Sequence, residues 1–373
     1  MFNKRFLITL ITAFTLIFVL AACSNDKASD KDGGSGDNGA DFYNGKTLET
    51  VVPYDTGGGS DVLARYMAPY FSDHIEGNPN VQVVNIPGAG SVIGVNEYMG
   101  FRDADGYNSV WSSGSTILNY LLQTDGVEYD FKDLAPIIGV PSGGVVFIST
   151  DTGYKEPKDI LTVSEDLVYS GQSATGIDIV TLLSFELLDL DVQSILGYEG
   201  SGPARVAFEQ GESNMNFQTT PAYLSVVQPL VDDGEALPLY TFGHSDADGN
   251  IIRDPAFPDI PSVKEFYEEV YGEEPSGEVW EAYKAFASRA YTIQKILWTK
   301  IDAPEEAITL MQEGAERLVV DDEFLEGGDE VLGGYLPLVG DELVELIEST
   351  IQADVDPDVL DWVANFIEEN FEE

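Results

Sequence analysis

"TLETVVPYDTGGGSDVLARYMAPYFSDHI", Thr47–Ile75, reads as a strand, a glycine turn and a helix in immediate succession. Thr47–Tyr54 is rich in β-branched residues, whereas Val62, Leu63, Tyr66, Met67 and Tyr70 recur at the spacing of one helix face. Between them, Gly57, Gly58 and Gly59 leave the backbone free to turn its N–H groups inward, and Ser60 or Asp61 can cap the helix that follows. A helix start of this kind attracts carboxylate or phosphate. No lysine follows the glycines, so this is not a P-loop.

The same unit recurs along the chain. "VQVVNI" (Val81–Ile86) is a second strand before "PGAGSVIG" (Pro87–Gly94), whose spacing suits a sharp turn into a helix better than a dinucleotide fingerprint. "NSVWSSGS" (Asn108–Ser115) is a third strand running into a Ser/Gly turn, with a helix behind it. "APIIGVPSGGVVFISTD" (Ala135–Asp151) looks like a pair of strands leaving one lobe for another. A second set follows: "DLVYSGQSATGIDIVTLLSFELL", "VQSILGYEGSGPARVAFEQGE" and "SNMNFQTTPAYLSVVQPLV" each give strand, loop and helix. "ALPLYTFG" (Ala236–Gly243) is the strand that crosses back, and the remainder reads as largely helical. Alternation of this kind predicts an α/β fold with parallel sheets and ligands at the carboxyl ends of the strands. Two such lobes with two hinge crossings describe a clamp, with 45–147 plus 239–373 as lobe 1 and 148–238 as lobe 2.

In the second lobe, "SGQSATG" (Ser170–Gly176) matches the position of the first glycine loop and offers hydroxyls and amides. Two such loops facing across a cleft would grip an anion from both ends, through charge-assisted hydrogen bonds worth roughly 1.5–3 kcal/mol each.

Length and composition agree with two folded lobes: 373 residues, 43 % hydrophobic and 11 % aromatic, against a prior of roughly 150 residues per domain. The formal net charge is −48, from 66 Asp and Glu against 18 Lys and Arg spread along the whole chain. Phosphate backbones demand basic patches, so nucleic-acid binding is excluded. The acidity reads instead as a solvated coat suited to high salt, where a Debye length of about 3 Å at 1 M hides the charges from an incoming anion. One cysteine and two separated histidines, His74 and His244, leave no basis for a disulfide, a metal site or a bound cofactor. No GxSxG elbow occurs, and neither histidine sits beside a candidate nucleophile, so no catalytic residue is assigned.

"MFNKRFLITLITAFTLIFVLAAC" has Lys4 and Arg5 ahead of an apolar run that ends on small residues at Cys23, as an export signal does. Leu20-Ala21-Ala22-Cys23 resembles the lipobox of bacterial lipoproteins, which implies cleavage after residue 22 and lipidation of Cys23. The polar segment behind it, to about residue 44, cannot bury anything and is expected to act as a tether on the outer face of the membrane.

Seven stretches in order carry a family resemblance: "VVPYDTGGGSDVLAR", "VQVVNIPGAGSVIGVNE", "DADGYNSVWSSGS", "YDFKDLAPIIGV", "LGYEGSGPARVAFEQGE", "FPDIPSVKEF" and "DAPEEAITLMQEG". Together they resemble the substrate-binding proteins of tripartite tricarboxylate transporters, the Bug-type receptors, from Thr47 to the C-terminus. The resemblance implies a two-lobed periplasmic-binding-protein (Venus-flytrap) fold. It also implies capture of a small di- or tricarboxylate by a monomer, and delivery to a large and a small integral-membrane transporter subunit. It places ligand contacts on Tyr54, Thr56, Gly57, Gly58, Gly59 and Ser60, and on the turn Ser113, Gly114, Ser115. In the second lobe it places them on Gln172, Ser173, Ala174 and Thr175, with Tyr198, Gly200, Thr219 and Thr220 on the remaining cleft loops. Ile86 stands where a basic residue is usual, and "SILGYEG" lacks a histidine often found there. An anchored ligand sensor, or a hydrolase acting on a small organic anion, is the contrasting reading; turnover of a bound carboxylate would distinguish the hydrolase.

Overall fold

The computed structural model describes residues 40–161, 166–246 and 249–371. The expected signal peptide (1–22), Cys23 and the tether as far as 39 lie outside the described residues. Packing begins before residue 44, the expected end of the tether. Tyr43 is fully buried and its hydroxyl donates to the Gly106 carbonyl at 2.8 Å.

Two five-stranded sheets organise the chain. β1 (Thr47–Val52), β2 (Asn80–Asn85), β3 (Asn108–Ser113) and β4 (Leu134–Val140) belong to the first. β5 (Gly144–Ser149), β6 (Leu167–Ser170), β7 (Val192–Ile195), β8 (Met215–Thr219) and β9 (Ala236–Thr241) form the second. A small antiparallel hairpin, β10 (His244–Ser245) and β11 (Ile251–Ile252), follows, and the chain then re-enters the first sheet as β12 (Lys295–Lys300). The orders are β2-β1-β3-β12-β4 and β7-β6-β8-β5-β9. In each sheet four strands run in one direction and one, β12 in the first and β5 in the second, is antiparallel to both neighbours and has just crossed from the other half.

The remainder is largely helical, as expected, but β12 is a strand that the expectation did not include. Its residues alternate between two cores, Leu297 against the helix Gly59–His74 and Ile296 and Trp298 against the opposite face. A strand buried on both faces shows no polar alternation, so "KILWTK" directly behind the helix Glu278–Tyr291 carries no strand signal.

Residues 239–373 are divided between the lobes by packing. Val263, Phe266, Trp280, Phe286 and Tyr291, with Val363 and Phe366 of the last helix, are buried in the core of the second sheet, although they lie in the stretch expected in the first lobe. Leu310, Met311 and Leu318 of the helix Glu305–Leu318 lie in the first. β5 and β9 belong to the second sheet over their whole length. The chain therefore passes between sheets at 141–143 and again at 292–294.

Candidate functional site

Three helix starts from the two halves meet at one pocket. Its walls include Tyr54, Gly58, Gly59 and Ser60 at the head of the helix Gly59–His74, Ser113 and Ser115 at the head of Gly114–Leu121, and Ser201 at the head of Ser201–Glu209. Gln172, Ile177, Phe217, Thr219 and Gln294 complete it. All three helices have at least eight residues, so each presents the positive end of its dipole, although Ser113 already caps the start of Gly114–Leu121. Among the described residues, the amides of Gly59 and Ser60 have no acceptor. The free volume is about 20 Å³, room for one water and too little for a dicarboxylate.

The halves touch around this pocket. Thr175 Oγ1 donates to Asn119 Oδ1 at 2.9 Å, Ile177 N–H to Ser115 Oγ at 3.0 Å, and Asp55 N–H to the Glu199 carbonyl at 3.3 Å. Backbone approach is equally close. A Cβ on Gly58 would lie 2.7 Å from Ser201 Oγ, and one on Gly59 would run into Thr219 Oγ1.

The first loop is built differently from the expectation. Gly58 is the N-cap with φ −87° and ψ 168°, an extended conformation open to any residue, and neither Ser60 nor Asp61 caps the helix. Asp61 Oδ2 instead accepts from Gly57 N–H at 3.0 Å, and Oδ1 accepts from Arg65 Nε and Asn85 Nδ2. The left-handed residue is Gly57, at φ 82°. Tyr54 and Ser113 share a hydroxyl–hydroxyl bond, and Ser113 Oγ also accepts from Ser115 N–H at 3.2 Å.

The second-lobe loop holds a carboxylate already, and it is the protein's own. Asp178 is fully buried; its Oδ1 accepts from Tyr169 Oη at 2.5 Å and from Gln172 N–H at 3.1 Å. Burial raises the Asp178 pKa to about 6, against the pull of those hydrogen bonds. Thr175 N–H goes to Ser173 Oγ and Gly176 N–H to the Ser173 carbonyl. Of the expected Gln172, Ser173, Ala174 and Thr175, only Gln172 lines the pocket. Its Oε1 is buried and has no donor among the described residues.

Several other expected contacts sit elsewhere. Gly114 packs against Ala290, whose carbonyl oxygen would be 2.7 Å from an added Cβ. Thr220 holds the first crossing, its Oγ1 accepting from Gly143 N–H at 3.0 Å. Thr56 and Tyr198 line a separate surface hollow with Asp55, and Tyr198 Oη donates to Glu212. Gly200 caps the Ser201 helix beside Asp55 N. Sequence reasoning did not single out Ile177, Ser201, Phe217 or Gln294. Ser201 had a signal, because it opens a helix after Gly200 as Gly59 does after Gly58; Gln294 had none.

No family model matches the chain. Protein BugT of Bordetella pertussis is 29 % identical over 198 residues, 51 % of this chain and 59 % of BugT. Over that stretch the chain is homologous to BugT. The match thus spans rather more than half the length of BugT. Among solved structures, the periplasmic binding protein BugD is similar with a TM-score of 0.63 at 16 % identity, covering 87 % of this chain and 97 % of that one. MatC from Rhodopseudomonas palustris, determined with bound malate, gives 0.62 at 16 % identity, covering 85 % and 99 %. The fold is that of the two-lobed periplasmic binding proteins. This chain has two α/β halves joined by short crossings.

Proposed function

We propose that this chain is an extracytoplasmic receptor that captures a small carboxylate between its lobes and delivers it to a tripartite tricarboxylate-type transporter with a large and a small membrane subunit. The observation that carries the reading is the convergence of three helix starts, drawn from both halves, on one pocket with unsatisfied amides at Gly59 and Ser60. The homology to BugT and the likeness to malate-bound MatC support a carboxylate as the ligand. Contacts are assigned to Gly58, Gly59, Ser60, Ser113, Ser115, Gln172, Ser201 and Thr219. Ser173, Ala174 and Thr175 act on the closure of the lobes rather than on the ligand. Because the free volume is so small, the cleft opens to admit the ligand by a hinge at the crossings. No reaction is assigned, since a binding role needs none of the acid, base or nucleophile groupings that turnover requires.

The receptor is held to the membrane by lipid on Cys23 and works as a monomer. Among the described residues no helix is long and apolar enough to cross a membrane. Lipid labelling of the wild type and of Cys23→Ser in cells tests the anchor; a variant that stays in the membrane without label would overturn it.

The binding reading is tested by thermal shift of the protein with malate, succinate, citrate and adipate in high salt. A ligand at 100 times its Kd stabilises the native state by about 2.7 kcal/mol. A flat panel would sink the reading, and turnover of any of these acids would favour an enzyme.

A further inference from the structure

Lys295 is fully buried at the first position of β12. Its side chain lies on the Leu297 face of the strand, beneath the start of the helix Gly59–His74. A Cβ on Gly59 would sit 3.6 Å from Lys295 Cε. The Nζ donates to Gln294 Oε1 and reaches Thr219 Oγ1 at 3.4 Å. Gly59, Thr219 and Gln294 are all pocket walls.

What this ammonium lacks is an anion. Eleven ion pairs occur among the described residues; they engage five arginines, Lys158, Lys264, Lys284 and His74, but not Lys295. The chain has 66 carboxylate residues for 18 basic ones, yet among the described residues none forms an ion pair with this fully buried lysine. The titratable side chains on the packed elements are committed elsewhere: Tyr54 to Ser113, and Asp61 to Gly57, Arg65 and Asn85. The cross-strand partners of Lys295 are Ser113 and Val140, which carry no charge. A buried charge without a partner is strongly disfavoured, and burial lowers the Lys295 pKa well below the ordinary lysine range.

We propose that Lys295 is the counter-charge for one carboxylate of the ligand, and that this carboxylate sits between the Lys295 ammonium and the amides of Gly59 and Ser60. The inference rests on the carboxylate-receptor reading above. It answers how so acidic a chain holds an anion: one desolvated cation lies inside the site, with its own carboxylates kept away. Binding then carries a proton with it. Whatever fraction of the Lys295 amine is unprotonated in the empty site takes up a proton from the buffer as the carboxylate binds, giving an ammonium–carboxylate pair.

The test is calorimetric titration of the full chain with malate and succinate, in two buffers of different ionisation enthalpy, above neutral pH. The wild type is expected to take up a measurable fraction of a proton per ligand bound. Lys295→Met, which keeps an unbranched side chain without the amine, is expected to fold at least as stably, to lose that uptake and to bind at least tenfold more weakly. Lys295→Arg cannot deprotonate, so whatever affinity it retains should come without proton uptake. A merely structural lysine would leave the uptake unchanged in Lys295→Met, or lower affinity only together with stability; either result overturns the assignment. Wild-type affinity in Lys295→Met overturns it too, and leaves the receptor reading standing. If the wild type binds neither acid nor any of the thermal-shift panel, the receptor reading falls and this inference with it.

Discussion

Gly59 and Thr219 stand so close across the cleft that a methyl group at Gly59 would run into the threonine hydroxyl. Gly59 opens the helix that follows β1 of the first sheet and Thr219 ends β8 of the second, so their approach measures how far the lobes have closed. Gly59→Ala is therefore expected to hold the lobes apart while leaving each core intact. Small-angle scattering should record a more extended molecule in the presence of ligand than for the wild type, with malate affinity lower by at least tenfold and little change in melting temperature. Gly58→Val should act the same way through Ser201, since the backbone at Gly58 tolerates a side chain. A variant of Gly59 that compacts normally on adding ligand would show that this contact does not limit closure.

Gln172 offers a test of what the pocket prefers. The residue lines the cavity, and its buried Oε1 has no donor among the described residues. An unfilled acceptor there is best met by a ligand hydroxyl, so a hydroxy-dicarboxylate should gain one neutral hydrogen bond over its deoxy analogue, about 0.5–1.5 kcal/mol. Malate is expected to bind better than succinate, and Gln172→Leu to narrow that ratio several-fold while affecting succinate little. Competition calorimetry with both acids reads the ratio directly; an unchanged ratio would mean that the hydroxyl points elsewhere.

Much of this site could be read from residue order, and the parts that could not share a cause. The strand–loop–helix units gave away their glycine turns, so Gly58, Gly59, Ser60 and Ser113 were legible as helix starts. What escaped was tertiary. Asp178 fills the second loop because a helix begins six residues after Gln172, and nothing in "SGQSATGID" says whether those amides face inward to a resident carboxylate or outward to a ligand. Lys295 and Gln294 reach the site because β12 inserts between β3 and β4, a long-range pairing with no local signature. The ownership of the C-terminal helices was hidden for the same reason. Phe286 and Phe366 have the same helical periodicity whichever sheet they cover.

Asp178 gives a pH dependence with a definite sign. Its folded pKa, about 6, lies above the unfolded value of about 3.9. The folded state therefore binds this proton more tightly, and the stability it contributes is full below about pH 4 and lost as pH rises through about 6. Asp178→Asn keeps an acceptor for Tyr169 and Gln172 and cannot ionise. The variant should gain melting temperature relative to the wild type as pH is raised from about 4 to above 6. Differential scanning calorimetry of both proteins across that window would contradict the account if the two curves ran parallel.

The acidic coat supplies the last expectation. With 66 acidic residues against 18 basic ones, most carboxylates on the surface have no cation to pair with, and their mutual repulsion opposes the compact state. That repulsion reaches across the molecule when the Debye length is about 30 Å, at 0.01 M salt, and is nearly extinguished at about 3 Å, at 1 M. Melting temperature should therefore rise steeply with salt over that range and then flatten. Sodium and potassium chloride should serve almost equally, because screening depends on ionic strength and not on the identity of the ion. The described residues hold no group of three or more His, Cys, Asp or Glu side chains arranged to bind a metal, so calcium should act only in proportion to its ionic strength. Thermal melts in matched ionic strengths of sodium, potassium and calcium chloride separate the two cases. A saturable rise at micromolar calcium would mean that part of the coat is a binding site rather than a screened surface.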